Sequence, residues 1–222
     1  MITTTYPPPP PGRFRPHPIR GRANAAFFHA LAPVLERSLG PRKRRVYADL
    51  PSDLVEIGPG AGANLRHVPP GTTLIALEPN PHMHPALRAA ARRRGVRLRL
   101  HAVGAERTGL SDGSADAVIS SLVLCSVADP AAALAEIRRI LRPGGTFRFV
   151  EHVAAPPGTA TRALQRALRR PWAWAFEGCS CERDLEGLLR QAGFVLDDLE
   201  RYRIRTPFVT FNTQIAGIAR VA

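Results

Sequence analysis

Apolar positions along this chain follow two rhythms, and their alternation predicts the architecture. Short runs such as Leu54-Val55-Glu56-Ile57 and Leu74-Ile75-Ala76-Leu77 suit strands buried within a sheet. The stretches between such runs place apolar residues three and four apart, as helices covering a sheet do. The pattern predicts strands over 53–57, 73–77, 97–103, 117–121 and 146–153, and helices over 63–67, 81–94 and 130–141. Arg142-Pro143-Gly144-Gly145 should stop the last of these helices and open a turn. An amphipathic helix over 24–39 precedes the sheet, with Asn24 as its cap and Gly40-Pro41 as its end. After residue 153 the rhythm breaks. An irregular insertion over about 154–181 carries one basic helix, followed by a helix over 182–192 and a closing strand pair over 194–202 and 213–221. Five consecutive prolines, Pro7 to Pro11, and interspersed arginines make residues 1–22 a flexible extended arm, which leaves 23–222 as one folded domain.

Composition agrees with a single globular unit: 222 residues, 45% hydrophobic and 22% charged, have enough apolar material for a core. No run is long enough to span a membrane and no signal peptide stands behind Met1, so a cytoplasmic protein is expected. The formal net charge of +13 raises nucleic acid as a partner. However, Lys43 is the sole lysine among 31 basic residues, a bias that reads as arginine-rich coding and not as selection for phosphate contacts. Three cysteines in a chain of this length do not make a disulfide scaffold.

The most informative stretch is Glu56-Ile57-Gly58-Pro59-Gly60-Ala61-Gly62. A buried strand ends there and glycine recurs at every second position before a helix, so the backbone turns sharply and leaves bare N–H groups for a ligand. Sixteen residues on, Glu78 stands at the end of the second strand, where a carboxylate can accept hydrogen bonds from two ribose hydroxyls. One residue between the second and third glycines, in place of the two of the dinucleotide fingerprint, favours a cofactor that brings no phosphate. The short-chain dehydrogenase signature is absent, because Lys43 precedes Tyr47 where that chemistry needs the lysine after the tyrosine.

Together with Gly104-Ala105-Glu106, Asp116-Ala117-Val118-Ile119 and Leu141-Arg142-Pro143-Gly144-Gly145, these motifs resemble the ordered motifs of class I S-adenosylmethionine-dependent methyltransferases. Gly62-Ala63-Asn64, Glu78-Pro79-Asn80-Pro81-His82, Leu122-Val123-Leu124-Cys125-Ser126-Val127, Glu151-His152-Val153 and Gly178-Cys179 narrow the resemblance to the alkyl-thiol S-methyltransferase group of animals. Those relatives begin with a membrane anchor, whereas this chain begins with its proline- and arginine-rich arm, so the resemblance does not extend to localisation. It implies an α/β fold: a doubly wound, Rossmann-like, seven-stranded sheet, mostly parallel with an antiparallel last strand, plus an N-terminal helix and a small cap. It also implies S-adenosylmethionine as cofactor, held by Glu56, Gly58, Gly60, Gly62, Asn64, Glu78, Asn80, Ala105, Glu106, Leu122 and Leu124. Many members carry Asp where Gly104 stands, so the adenine contacts are the part of the pattern from which this chain departs.

A small apolar acceptor, a thiol first of all, is the expected substrate, with O-, N- or C-methylation of a small metabolite as the alternative. His152, near the end of the fifth strand, is the candidate assisting base. Phe27, Phe28, Cys125, Trp172, Trp174 and Phe176 are candidate walls of the acceptor pocket. Cys179-Ser180-Cys181 lacks partners at finger-like spacing, and no metal is expected. An RNA methyltransferase is disfavoured because the fourth strand ends in Ser120-Ser121-Leu122-Val123, without the Asn/Asp-Pro-Pro-aromatic motif that grips a flipped base. A non-enzymatic cofactor-fold protein docking through its basic arm would bind the donor weakly or not at all.

Overall fold

The computed structural model describes residues 19–221, so the proline run lies outside the described residues. The described part is a seven-stranded sheet in the order β3-β2-β1-β4-β5-β7-β6. Strands β1 (Asp53–Ile57), β2 (Thr73–Leu77), β3 (Arg97–His101), β4 (Ala115–Ser121) and β5 (Leu141–His152) are parallel; β7 (Thr213–Val221) is antiparallel to both β5 and β6 (Phe194–Arg203). The chain winds outward from β1 through β2 to β3, then returns to β4 on the other side of β1. That reversal opens a crevice at the carboxyl ends of β1 and β4, where open α/β sheets take their ligands.

Alternation along β1 divides its side chains between two cores. Val55 and Ile57 join Phe147, Phe149, Leu134 and Ile137 beneath α3 (Pro130–Ile140) and α5 (Leu185–Gln191). Leu54 joins Leu74, Leu39, Val46 and Leu87 beneath α1 (Arg20–Val46) and α2 (His84–Arg94). Glu56 therefore points into the second layer, where it is fully buried. At the sheet's edge, β3 alternates arginine with leucine, and charged side chains blunt its unpaired backbone.

Three expectations change. Helix α1 starts at Arg20, inside the predicted arm, and runs through Gly40-Pro41 to Val46. Proline removes one helical hydrogen bond, but Leu39 before it and Val46 and Tyr47 after it are buried, and packing outweighs the local penalty. Arg142-Pro143-Gly144-Gly145 is not a separate turn: Leu141 pairs with Ala115 and Thr146 with Ala117, so these residues form an irregularity within β5. Helix α2 begins at His84, because Asn80 Oδ1 accepts from the His82 N–H (3.0 Å) and holds 80–83 as a turn. The insertion carries the expected single basic helix, α4 (Ala160–Ala175), fastened by Gln165. Its buried amide donates to Val153 O (3.1 Å) and Thr210 O (2.9 Å) and accepts from Ala155 N (2.8 Å). Among the described residues no helix is long and apolar enough to cross a membrane.

Candidate active site

The glycine loop after β1 is built from backbone conformations that a side chain would obstruct. Gly58 has φ +57°, and a Cβ there would lie 2.6 Å from Val123 Cγ2. Gly60 also has φ +57°, yet a Cβ on it would meet no protein atom within 4 Å, so its bare face looks into open space. The Gly60 N–H donates to Glu78 Oε2 (2.9 Å) and the Asn80 N–H to Glu78 Oε1 (2.8 Å). These bonds lock the carboxylate at the mouth of β2, and each oxygen keeps lone-pair capacity for another donor.

A cavity of about 630 Å³ opens over this loop, a volume typical of small-molecule sites. Its floor is formed by Gly58, Gly60, Glu78 and Asn80, and one side by Ala105, Glu106 and Leu122. The roof comes from outside the sheet: Phe28, Leu35 and Leu39 of α1 meet Phe176 after α4. Asn24 fixes that meeting through its Nδ2 donation to Ala175 O (3.2 Å), and the Phe28 and Phe176 rings pack with centroids 6.1 Å apart. The cavity is thus polar at the sheet and aromatic under its roof.

A methyltransferase-domain family model matches residues 55–149, the segment that carries the loop, Glu78 and the central strands. The human thiol S-methyltransferase TMT1B is 35% identical over 200 residues, covering 85% of this chain and 82% of that protein. The chain belongs to the S-adenosylmethionine-dependent methyltransferases. Human thiol S-methyltransferase TMT1A is likewise 35% identical, over 87% of this chain and 84% of its own length. A Thermotoga maritima structure described as a possible histamine N-methyltransferase shares the fold, with TM-score 0.66 and 19% identity over 92% of this chain and 99% of its own.

S-adenosylmethionine is the cofactor of this methyltransferase, and the residues present fit it. Besides the open face at Gly60, the buried acceptors Asn64 Oδ1 and Glu56 Oε2 have no hydrogen-bond partner within the protein. Of the residues expected to hold the cofactor, Gly58, Gly60, Asn64, Glu78, Asn80, Ala105, Glu106 and Leu122 line the cavity. Glu56, Gly62 and Leu124 stand behind its wall: Glu56 accepts from Asn64 Nδ2 (2.7 Å), Gly62 packs against Leu65 and Ala90, and Leu124 is core. The Glu106 carboxylate is engaged by the N–H groups of Ala128 (3.0 Å) and Asp129 (3.4 Å) just before α3.

The acceptor-side expectations divide further. Phe28 and Phe176 line the methyltransferase cavity, while Phe27 supports them from behind with its ring 5.8 Å from Phe176. Trp174 is 69% exposed and lies under the Arg20 guanidinium on the outer surface, so it is removed from the pocket set; one turn of α4 points it outward. Cys125, Trp172 and His152 are not on the wall. His152 is buried with Nε2 3.1 Å from Cys179 Sγ, and Trp172 Nε1 donates to the same sulfur (3.3 Å). The hydrogen bond shared with Cys125, aided by the His152 charge and the Trp172 donor, pulls the Cys179 thiol well below the ordinary range against the effect of burial.

Two basic residues with no motif around them also reach the cavity of this methyltransferase. Lys43 lines it from α1, almost wholly buried, 3.8 Å from Glu36 Oε2; burial lowers its pKa. Arg183 lines it from the turn before α5. Its Nη2 donates to Cys125 O and Val127 O (both 3.3 Å), while Nη1 is buried with no partner.

Burial pushes the Glu56 carboxyl up to about 7, opposed by the Asn64 hydrogen bond and the Lys43 charge, with the nearby Glu78 adding to the rise. Because the folded pKa is raised, the stabilisation from Glu56 is complete below its ordinary value near 4.5 and is lost as pH rises through about 7. We expect the cofactor-free methyltransferase to lose stability between about pH 5 and 8. Glu56→Gln should flatten that loss by an amount on the order of 3 kcal/mol, at about 1.36 kcal/mol per pKa unit. Parallel melting curves of the two proteins across this range measure it; identical pH slopes would refute the shift.

Proposed function

We propose that this methyltransferase transfers the methyl group of S-adenosylmethionine to the sulfur of a small apolar thiol. The observation that carries the reading is the aromatic end of the cavity, Phe28 and Phe176, with the buried and unpaired Arg183 Nη1 on the same lining. The names of the human relatives, thiol S-methyltransferases, support sulfur as the acceptor atom.

The bound cofactor supplies a methyl group on a positively charged sulfur. The chain's own task is to orient both partners and to exclude water. Glu78 is assigned the ribose hydroxyls, Asn64 Oδ1 the cofactor's ammonium group, and the Ala105-Glu106 side the adenine. An acceptor gripped by the roof would meet the methyl group in a partly dry space, where orientation alone is worth roughly 7–11 kcal/mol. Thiols with a pKa near about 8.5 have a few per cent thiolate at neutral pH, and the Arg183 cation raises that fraction. A separate general base is then unnecessary, consistent with His152 lying behind the wall.

The test is methyl transfer to a panel of apolar thiols, phenols and amines, read by mass spectrometry. Thiols should be methylated, and transfer confined to oxygen or nitrogen acceptors would overturn the proposal. Phe28→Ala and Phe176→Ala should each raise KM for an apolar thiol by about 10-fold with a smaller change in kcat, since burying an aromatic ring against a ligand contributes on the order of 1.5–3 kcal/mol. Equal losses for a small hydrophilic thiol would show that the rings hold the fold and not the acceptor.

A further inference from the structure

We propose that Cys125, His152 and Cys179 form a binding site for a thiophilic divalent cation of the zinc class. Three elements deliver the donors: the turn after β4, the last residue of β5, and the turn between α4 and α5. Their ligand atoms all lie within 4.8 Å of one another, and the three residues are 3%, 1% and 7% exposed. Two sulfurs and an imidazole suit a borderline-soft ion with bonds of about 2.3 Å to sulfur and about 2.0–2.1 Å to nitrogen, and do not suit magnesium or calcium. A tetrahedral ion with such bonds separates its donors by roughly 3.5–3.8 Å, so the side chains need only small adjustments to close on one.

Both sulfurs have supporting polar contacts, and the imidazole has an aromatic one. Trp172 Nε1 donates to Cys179 Sγ at 3.3 Å, the Ser126 hydroxyl lies 3.5 Å from Cys125 Sγ, and the His152 ring packs on Phe211 at 5.0 Å between centroids. The Ser180 N–H donates to Cys125 O (2.8 Å), which ties together the two turns that carry the sulfurs. Such contacts orient metal ligands and stabilise coordinated thiolate. His152 Nδ1 has no hydrogen-bond partner, although it is buried. Cys181, two residues from Cys179, takes no part: its sulfur donates to Gln165 O of α4 (3.6 Å). The spacing 125, 152, 179 has no finger-like pattern, because β-strand order and not sequence proximity assembles the set.

Three protein donors leave a tetrahedral ion one position for an exogenous ligand. Ser126 and Gly178, each adjacent in sequence to one of the cysteines, line the donor cavity. The site therefore borders the reaction space, but its existence does not depend on which acceptor is methylated.

The experiment uses the full chain stripped of metal and titrated with zinc against a chromogenic chelator, then with cobalt as a spectroscopic replacement. One ion per chain and a thiolate-to-cobalt charge-transfer band are expected, together with a rise in the wild-type melting midpoint that chelator reverses. Cys125→Ser and Cys179→Ser should each weaken binding by at least about 100-fold, while Cys181→Ser keeps the stoichiometry. The cobalt band in wild-type protein reports sulfur ligation even where a variant folds poorly. Absence of that band, or zinc binding undiminished in a Cys125→Ser/Cys179→Ser double variant, would overturn the proposal.

Discussion

Replacing Glu78 with alanine should lower the affinity for S-adenosylmethionine by at least about 100-fold while leaving the protein folded. The carboxylate is only 6% exposed, and each oxygen already accepts one backbone N–H, from Asn80 and from Gly60. Burial raises its pKa, and those two N–H groups resist the rise. Glu78 is part of the cavity floor, where two ribose hydroxyls would find a charged acceptor with lone-pair capacity left. Hydrogen bonds to a charged group contribute about 1.5–3 kcal/mol each, so two of them correspond to roughly 10²–10⁴ in affinity. Alanine also frees the Gly60 amide, loosening the loop that presents its open face to the ligand. Glu78→Gln separates shape from charge: the side chain still fits, but its NH₂ must face one of two backbone donors, so binding should remain well below wild type. Calorimetric titration with the donor decides the matter, with circular dichroism confirming the fold. Wild-type affinity in a folded Glu78→Ala protein would remove the ribose role from this residue.

The same geometry separates what short stretches of the chain encode from what only its folding brings together. The glycine loop and Glu78 are legible in the sequence because they are local: a strand end, a forced turn and an acid at the next strand end each have a short-range pattern. The central strands are legible for the same reason, their two-sided burial leaving continuous apolar runs. Helix α1 departs from its expected end at Gly40-Pro41 because local breakers compete with burial contributed by β-strands far along the chain, a quantity no window of sequence contains. Trp174 and Phe176 are two residues apart, yet one faces solvent and the other the cavity, a distinction set by where α4 docks. Lys43 and Arg183 give no signal of a place in the site, since a single basic residue among many carries no pattern until its burial is known. Cys125, His152 and Cys179 each stand out in the sequence, but their convergence belongs to the strand order.

Glu151→Ala is the substitution with the largest expected effect on stability, about 3–5 kcal/mol. Glu151 is wholly buried, and its pKa is raised by that burial. Its Oε1 accepts from the Ser120 hydroxyl (2.6 Å), and the Val123 N–H donates to both carboxylate oxygens (2.9 and 3.1 Å). Between those partners the chain passes through Leu122, a non-glycine residue at φ +60° that lines the cavity, with its N–H donating to Val150 O (3.0 Å). A left-handed leucine persists only where its surroundings over-determine it, and the carboxylate is the group that fixes the next amide. Alanine would leave the Ser120 hydroxyl and the Val123 N–H buried without an acceptor, at about 1–3 kcal/mol each, besides a cavity between β4 and the following turn. For a chain of this length each kcal/mol lowers the melting midpoint by roughly 2–4 °C, so a drop on the order of 10 °C or more is expected. Donor affinity should fall as well, because Leu122 and Val123 would no longer hold the wall opposite the glycine loop. Glu151→Gln retains an acceptor and should lose less on both measures. A melting midpoint in Glu151→Ala close to that of wild type, with unchanged donor binding, would show that Val150 alone suffices to hold the turn.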